Sequence, residues 1–125
     1  MSEENRLTLI DTSAWIEFFK NREPLASQVD AALADGSAAL CGIVELELVA
    51  GLREGESLLE LLSAVQRLET IEEDYLAAGL TLQSLRRRGI TPPVTDGLIA
   101  QLASRHDATL IARDKHFEHF AIRSE

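Results

Sequence analysis

Four carboxylates carry the chemistry open to this sequence. Asp11 directly follows the apolar run Leu7-Thr8-Leu9-Ile10, and Asp114 follows Thr109-Leu110-Ile111-Ala112 by two residues. Glu47 lies about one turn into the helical stretch after Ala38-Ala39-Leu40-Cys41, and Asp96 opens the helical stretch that leads into Thr109. Gathered at one rim, such groups repel: two like charges about 4 Å apart cost roughly 4 kcal/mol at an effective dielectric near 20. A hard divalent cation offsets that repulsion, and Mg²⁺ takes oxygen ligands while keeping several of its waters. Water on such a metal is a nucleophile, and the metal neutralises charge on a phosphodiester in its transition state. The residue types therefore point to metal-assisted phosphodiester hydrolysis. Each acid alone has a plainer use. Asp11 and Asp96 suit helix caps, Asp114 suits a turn, and Glu47 has a rival in Glu45, about 200° around the same helix.

Positioning four acids from distant parts of the chain requires short strands alternating with helices. Leu7 to Ile10 reads as a buried strand, and Asp11-Thr12-Ser13 as the cap of a helix through Lys20 with Trp15, Ile16, Phe18 and Phe19 at helical spacing. Pro24 opens a second helix, ended by Asp35-Gly36. Strand two is Ala38 to Cys41, followed by a helix from Ile43 to Leu52. An amphipathic helix over Ser57 to Leu68 then leads to a weak third strand, Glu69-Thr70-Ile71. Asp74 to Arg88 is helical and stops at Gly89. Thr95 is placed to cap a helix from Asp96 to His106, Thr109 to Ala112 is strand four, and Ala121-Ile122 adds an edge strand. This alternation specifies an α/β fold: a three-layer sandwich with a mainly parallel central sheet of four to five short strands and helices on both faces. In such sheets the C-terminal strand ends and the following helix starts share one edge, where ligands bind. All four acids map to that edge.

Composition narrows the alternatives. A chain of 125 residues is one domain, residues 1–125, with no repeat or Gly/Ser linker. The single cysteine, Cys41, forms no internal bridge, and as a buried strand residue it has no activating partner in sequence. The polar, acidic start and the lack of a long apolar run give a cytoplasmic protein with no membrane association. Twelve basic against 21 acidic residues leave a net charge of −9, which argues against a polyanionic partner unless the acids surround a metal. Local cations remain: Arg86-Arg87-Arg88, and Arg113 and Lys115 on either side of Asp114, as RNA contacts. The arginine run equally suits a solvated helix end favoured by the macrodipole. His116 and His119 are too few ligands for a zinc site, and no Gly-rich phosphate loop is present.

Four blocks resemble PIN-domain proteins, and among them the VapC toxins of bacterial type II toxin–antitoxin systems. They are Leu9-Ile10-Asp11-Thr12-Ser13-Ala14-Trp15-Ile16, Glu47-Leu48-Val49-Ala50-Gly51, Thr95-Asp96-Gly97-Leu98-Ile99-Ala100 and Leu110-Ile111-Ala112-Arg113-Asp114-Lys115-His116-Phe117. They occur in the family's order from residue 9 to 117. The resemblance implies an endoribonuclease dependent on Mg²⁺ or Mn²⁺, with Asp11, Glu47, Asp96 and Asp114 as metal ligands and catalytic cluster. It selects Glu47 over Glu45, because the family's Glu stands four residues before a Gly. It also assigns Ser13 as an accessory hydroxyl, RNA as substrate, a homodimer, and a cognate antitoxin that lays a segment over the toxin and a basic residue into the acidic pocket. Trp15, Phe18, Phe19, Leu48 and Val49 form the apolar neighbourhood for such a segment, with Phe19 and Leu48 expected in the core. Two positions depart from the family: Ala112, where many members have Thr or Ser, and His116, where many have a further acid. Two rivals stand beside this reading. One is a phosphotransfer enzyme with a phosphorylated Asp, which wants an acidic pair after strand one or a single Asp after a central strand with a Lys near the end, where strand one offers only Asp11 followed by Thr12. The other is a PIN module that binds RNA or a partner without cleavage.

Overall fold

A computed structural model describes residues 6–51, 55–113 and 115–124. Five strands, β1 (Thr8–Ile10), β2 (Ala38–Cys41), β3 (Gln66–Leu68), β4 (Thr109–Ile111) and β5 (Arg123–Ser124), form one sheet in the order β3-β2-β1-β4-β5. Every pairing is parallel, with Thr8 opposite both Ala38 and Thr109, Cys41 opposite Leu68, and Thr109 opposite Arg123. Six helices connect or flank them: α1 (Thr12–Phe19), α2 (Leu25–Ala34), α3 (Gly42–Gly51), α4 (Gly55–Ala64), α5 (Glu72–Arg87) and α6 (Val94–Arg105), with a 3₁₀ helix at Lys115–His119. This is the expected sandwich with a parallel sheet of short strands.

The apolar runs explain the strands. β2 is buried at all four positions, as a central strand covered on both faces must be. Leu9, Ile10, Leu40, Leu110 and Ile111 form the sheet's share of the core, and Trp15, Val29, Val44, Leu48, Ile99 and Leu102 cover it from the helices. Strand order runs outward from β1 through β2 to β3, then returns across the sheet to β4. With right-handed crossovers, that reversal puts α5–α6 on the opposite face from α1–α2. The strand order reverses between β1 and β4, and the C-terminal ends of those strands form the edge where such folds bind ligands.

Helices α5 and α6 pack as an antiparallel pair. The α5 start lies at the α6 end, where Arg105 grips Asp74 at 2.8 Å, and a Cβ on Gly97 near the α6 start would meet Leu82 of α5 at 2.6 Å. Glycine in Asp96-Gly97-Leu98 thus allows the close approach. Gly89, with φ +79°, turns the chain out of α5 in the left-handed region that glycine adopts without strain.

Five sequence expectations shift. The helix read as Ser57 to Leu68 ends at Ala64, and the third strand is Gln66–Leu68 rather than Glu69-Thr70-Ile71. Apolar Val65 and Leu68 continue the helical period, but the edge of β2 offers a ladder and a buried slot for Leu68 opposite Cys41. Glu69 to Ile71 become a connector: the Glu69 carbonyl accepts from Arg105 and His106, and the Ile71 N–H donates to Asp74. Thr95 does not cap α6. The helix starts earlier, at Val94, behind Pro93, which makes no side-chain cap. The last strand falls at Arg123–Ser124, two residues beyond Ala121-Ile122, because buried Phe117 and Phe120 anchor the preceding turn. Phe19, expected in the core with Leu48, is 38% exposed although stacked on Trp15, whereas Leu48 is buried. Leu52, at the end of the helix read from Ile43, lies outside the described residues. No helix among the described residues is long and apolar enough to cross a membrane.

Candidate active site

Asp11 leaves β1 in extended conformation (φ −67°, ψ 156°) and is the N-cap of α1. Its Oδ2 accepts from the Ser13 N–H at 3.1 Å and from the Ser13 hydroxyl at 2.6 Å. Its own N–H donates to the Ile111 carbonyl across the β1/β4 crevice at 2.9 Å. The capping use and the rim position coincide, since a carboxylate that caps the helix after a strand must sit at the C-terminal edge. The side chain is buried, and the partial positive charge of the α1 start favours an anion there.

Thr12 connects the second acid to the first: its hydroxyl donates to Glu47 Oε1 at 2.7 Å. Glu45 points elsewhere. It holds Arg67 of β3 through two bonds, of 2.9 and 2.7 Å, and those bonds keep its carboxyl below the usual range. Glu47 reaches the residue beside Asp11, and Glu45 is the exposed salt-bridging glutamate.

Asp96 sits in the first turn of α6, buried, with its N–H on the Pro93 carbonyl at 3.1 Å. His116 of the 3₁₀ helix donates Nδ1–H to Asp96 Oδ2 at 3.0 Å. The histidine that replaces a further acid therefore contacts a carboxylate. His119 lies in the same 3₁₀ helix. Asp114 lies outside the described residues. Among the described residues no three Asp, Glu, His or Cys side chains form a ready metal cage. Asp11, Glu47 and Asp96 are all carboxylates, the hard oxygen donors that Mg²⁺ or Mn²⁺ takes together with water. Cys41 is fully buried, and burial pushes its thiol up, with the neighbouring Asp11 charge acting in the same direction, so it is no nucleophile.

Ser13 does more than the sequence suggested. Its hydroxyl oxygen accepts the Arg113 N–H at 2.9 Å while its hydrogen goes to Asp11, so it joins the loop after β4 to the first acid. The Arg113 side chain turns to Glu17 of α1, with Nε 3.3 Å from Oε1. Glu17, buried within Trp15-Ile16-Glu17-Phe18-Phe19, was not among the residues read from sequence. A lone charge inside an aromatic helical run was the available signal. Lys115 is exposed in the segment that carries His116. Arg86, Arg87 and Arg88 are exposed at the α5 end that lies beside the start of α6, hence at Asp96's end of that helix pair. In the apolar neighbourhood Trp15 and Leu48 are buried, which leaves Phe19 and Val49 presented to solvent. A groove of about 620 Å³ opens beside the same loop, lined among others by Pro24, Leu25, Arg113, Phe117 and Phe120.

Residues 8–123 match the PIN domain family, and the chain belongs to it. Its sequence similarity within the family is to VapC ribonucleases. It is 32% identical over 120 residues to Ribonuclease VapC11 of Mycobacterium tuberculosis, and equally to VapC ribonuclease Mb1587 of Mycobacterium bovis, with 90% of each chain covered. Among solved structures, VapBC2 from Rickettsia felis bound to a DNA fragment from its promoter superposes with TM-score 0.76 at 20% identity, covering 95% of this chain and 97% of that one. DNA-bound VapBC from Salmonella typhimurium gives 0.76 at 18% identity, covering 96% and 97%. At these identities the shared property is the fold.

Proposed function

We propose that this chain is the ribonuclease toxin of a toxin–antitoxin pair, one PIN domain acting in the cytoplasm on RNA phosphodiesters. The reading is supported by Asp11 at the end of β1 with its N–H on Ile111 of β4, by Glu47 bonded to the adjacent Thr12, and by Asp96 bonded to His116 in the segment after β4. Asp11, Glu47 and Asp96, with Asp114 as the fourth acid, would hold Mg²⁺ or Mn²⁺, partly through waters. The bound ion supplies a nucleophilic water and charge neutralisation at the scissile phosphate. The chain's own residues do the rest. Ser13 and the α1 start orient the Asp11 carboxylate, Thr12 orients Glu47, and His116 orients Asp96. Arg86, Arg87, Arg88 and Lys115 would guide the RNA backbone past the acids, in spite of the net charge of −9, whereas the Arg113 side chain, expected on RNA, is turned to Glu17.

A toxin–antitoxin complex from Klebsiella pneumoniae, similar in fold with TM-score 0.74 at 20% identity, supports an antitoxin as the partner expected here. The groove between α2 and the 3₁₀ helix, lined by Leu25, Phe117 and Phe120, offers apolar seats for its segment, and the acidic rim offers a seat for a basic side chain. For the homodimer, α5 presents Tyr75, Leu76 and Leu80 to solvent.

The test is induced expression of wild type and Asp11→Asn in cells without antitoxin, following growth and RNA integrity together. Arrest with RNA cleavage in wild type alone supports the toxin. Equal arrest with intact RNA supports a PIN module that acts by binding.

A further inference from the structure

Glu17 is a carboxylate buried in an aromatic stretch of α1, outside the four acids. Burial of a charge is costly, and an apolar side chain of similar volume would pack at least as well in such a place. Two guanidinium groups balance it: Arg113 Nε at 3.3 Å and Arg22 Nε at 3.9 Å. Ser13 and Glu17 are four residues apart and share one face of α1. Arg113 is thus pinned to that face twice, by its N–H on Ser13 Oγ and by its side chain on Glu17. The first bond has a directional consequence. Because Ser13 Oγ accepts from Arg113, its own hydrogen is left to point at Asp11 Oδ2, 2.6 Å away.

We infer that Glu17 is a positioning residue of the active site. It acts through Arg113, holding the segment after β4 on α1 and so directing the Ser13 hydroxyl to Asp11. Loss of Glu17 leaves Arg113 free to swing into solvent, where 65% of its side chain already lies, and lets the Ser13 hydroxyl turn away. The inference rests on the nuclease reading for its catalytic consequence, but not for the docking of the loop.

Three variants test it: Glu17→Gln, Arg113→Gln and the double. Amide hydrogen exchange at Arg113, read by NMR in metal-free protein, should speed up by about tenfold in Glu17→Gln. Partners one step behind metal ligands typically change affinity or activity by about 10–100-fold. Accordingly the Mn²⁺ dissociation constant should rise, and kcat fall, by about tenfold, with KM for RNA little changed. The double variant should lose no more than either single, the mark of residues acting as one unit. Glu17→Met fills a similar volume and serves if the amide variant fails to fold. Unchanged Arg113 exchange overturns the inference, as does a double variant whose loss is the product of the singles. A raised KM in Arg113→Gln with Glu17→Gln unaffected also overturns it, since Arg113 would then act on RNA without Glu17. A fall in thermal stability alone, with Mn²⁺ affinity and kcat kept, makes Glu17 merely structural and overturns it too. If wild type neither binds Mn²⁺ nor cleaves RNA, the nuclease reading and the positioning role fall together, while Arg113 exchange still reports whether Glu17 docks the loop.

Discussion

Asp11 and the pair Glu45/Glu47 show how much a single residue's surroundings decide. Asn caps a helix as well as Asp does, so Asp11→Asn should keep the fold while it removes the charge a cation needs. We expect unchanged circular dichroism and an RNA cleavage rate lowered by about 10²–10³-fold, the size of loss seen when one electrostatic contact to a transition state is removed. Glu45 and Glu47 separate in the same assay. Glu47→Gln should cut activity and weaken Mn²⁺ binding. Glu45→Gln should keep activity and change stability by less than about 1 kcal/mol, because its pair with Arg67 is largely exposed. The type and spacing of Asp11 and Asp96 made them legible in the sequence. The choice between Glu45 and Glu47 came from family resemblance, since a helical period alone places each on a face without saying which face meets Thr12. For Glu17 the sequence offered only a lone charge inside an aromatic run, because its partner Arg113 is distant in the chain.

At the scale of elements, the α5–α6 pair is fastened at its far end by Asp74. Burial works to raise the Asp74 carboxyl, but the Arg105 guanidinium, the Ile71 N–H and the Gln101 amide override it and hold it at about 2. A depressed carboxyl contributes stability that is full above its unfolded value near 3.8 and is lost as pH falls toward 2. The contribution is about 2 kcal/mol. Thermal melts should therefore show Asp74→Asn destabilised by about that amount at pH 6, with the gap to wild type closing between about pH 4 and 2. If the gap stays constant over that range, the network is not what holds the charge. The same pair explains why strand three was misread. Helical periodicity through Val65 and Leu68 is a local signal, whereas the β2 edge and the Arg105 anchor on Glu69 exist only once the sheet and α6 are assembled.

For the whole molecule the question is how a chain with net charge −9 handles RNA and partners. If Arg86, Arg87 and Arg88 each meet a phosphate, replacing all three by Ala should raise KM, leave kcat unchanged and reduce the slope of log(kcat/KM) against log[salt] by about 2, since each single-strand contact contributes about 0.7. An unchanged slope would return the run to a solvated helix end. The exposed α5 stripe makes a separate prediction. If the proposed homodimer forms through this stripe, whose Leu76 and Leu80 are 68% and 55% exposed in the single chain, Leu76→Glu and Leu80→Glu together should give a monomer in light scattering without loss of the helical signal, and an unchanged mass would place the contact elsewhere.

By itself the sequence determined the alternation of strands and helices and that Asp11 follows β1 and Asp96 opens α6. Short apolar runs between turn signals read as buried strands, as β1, β2 and β4 are, and the strand-to-helix turn after β1 puts Asp11 at the C-terminal edge of the sheet. Local patterning also set β2, α2 and the glycine stop after α5. The tertiary structure decided what depends on distant neighbours: which glutamate of α3 meets Thr12, that Ser13 joins Asp11 to Arg113, that His116 reaches Asp96, and that Glu17 is held by two arginines. The physical reason is the range of the forces. Periodicity and capping act over a turn or two of chain, while hydrogen bonds and ion pairs between β1, α1 and the loop after β4 exist only after about a hundred residues have closed on themselves.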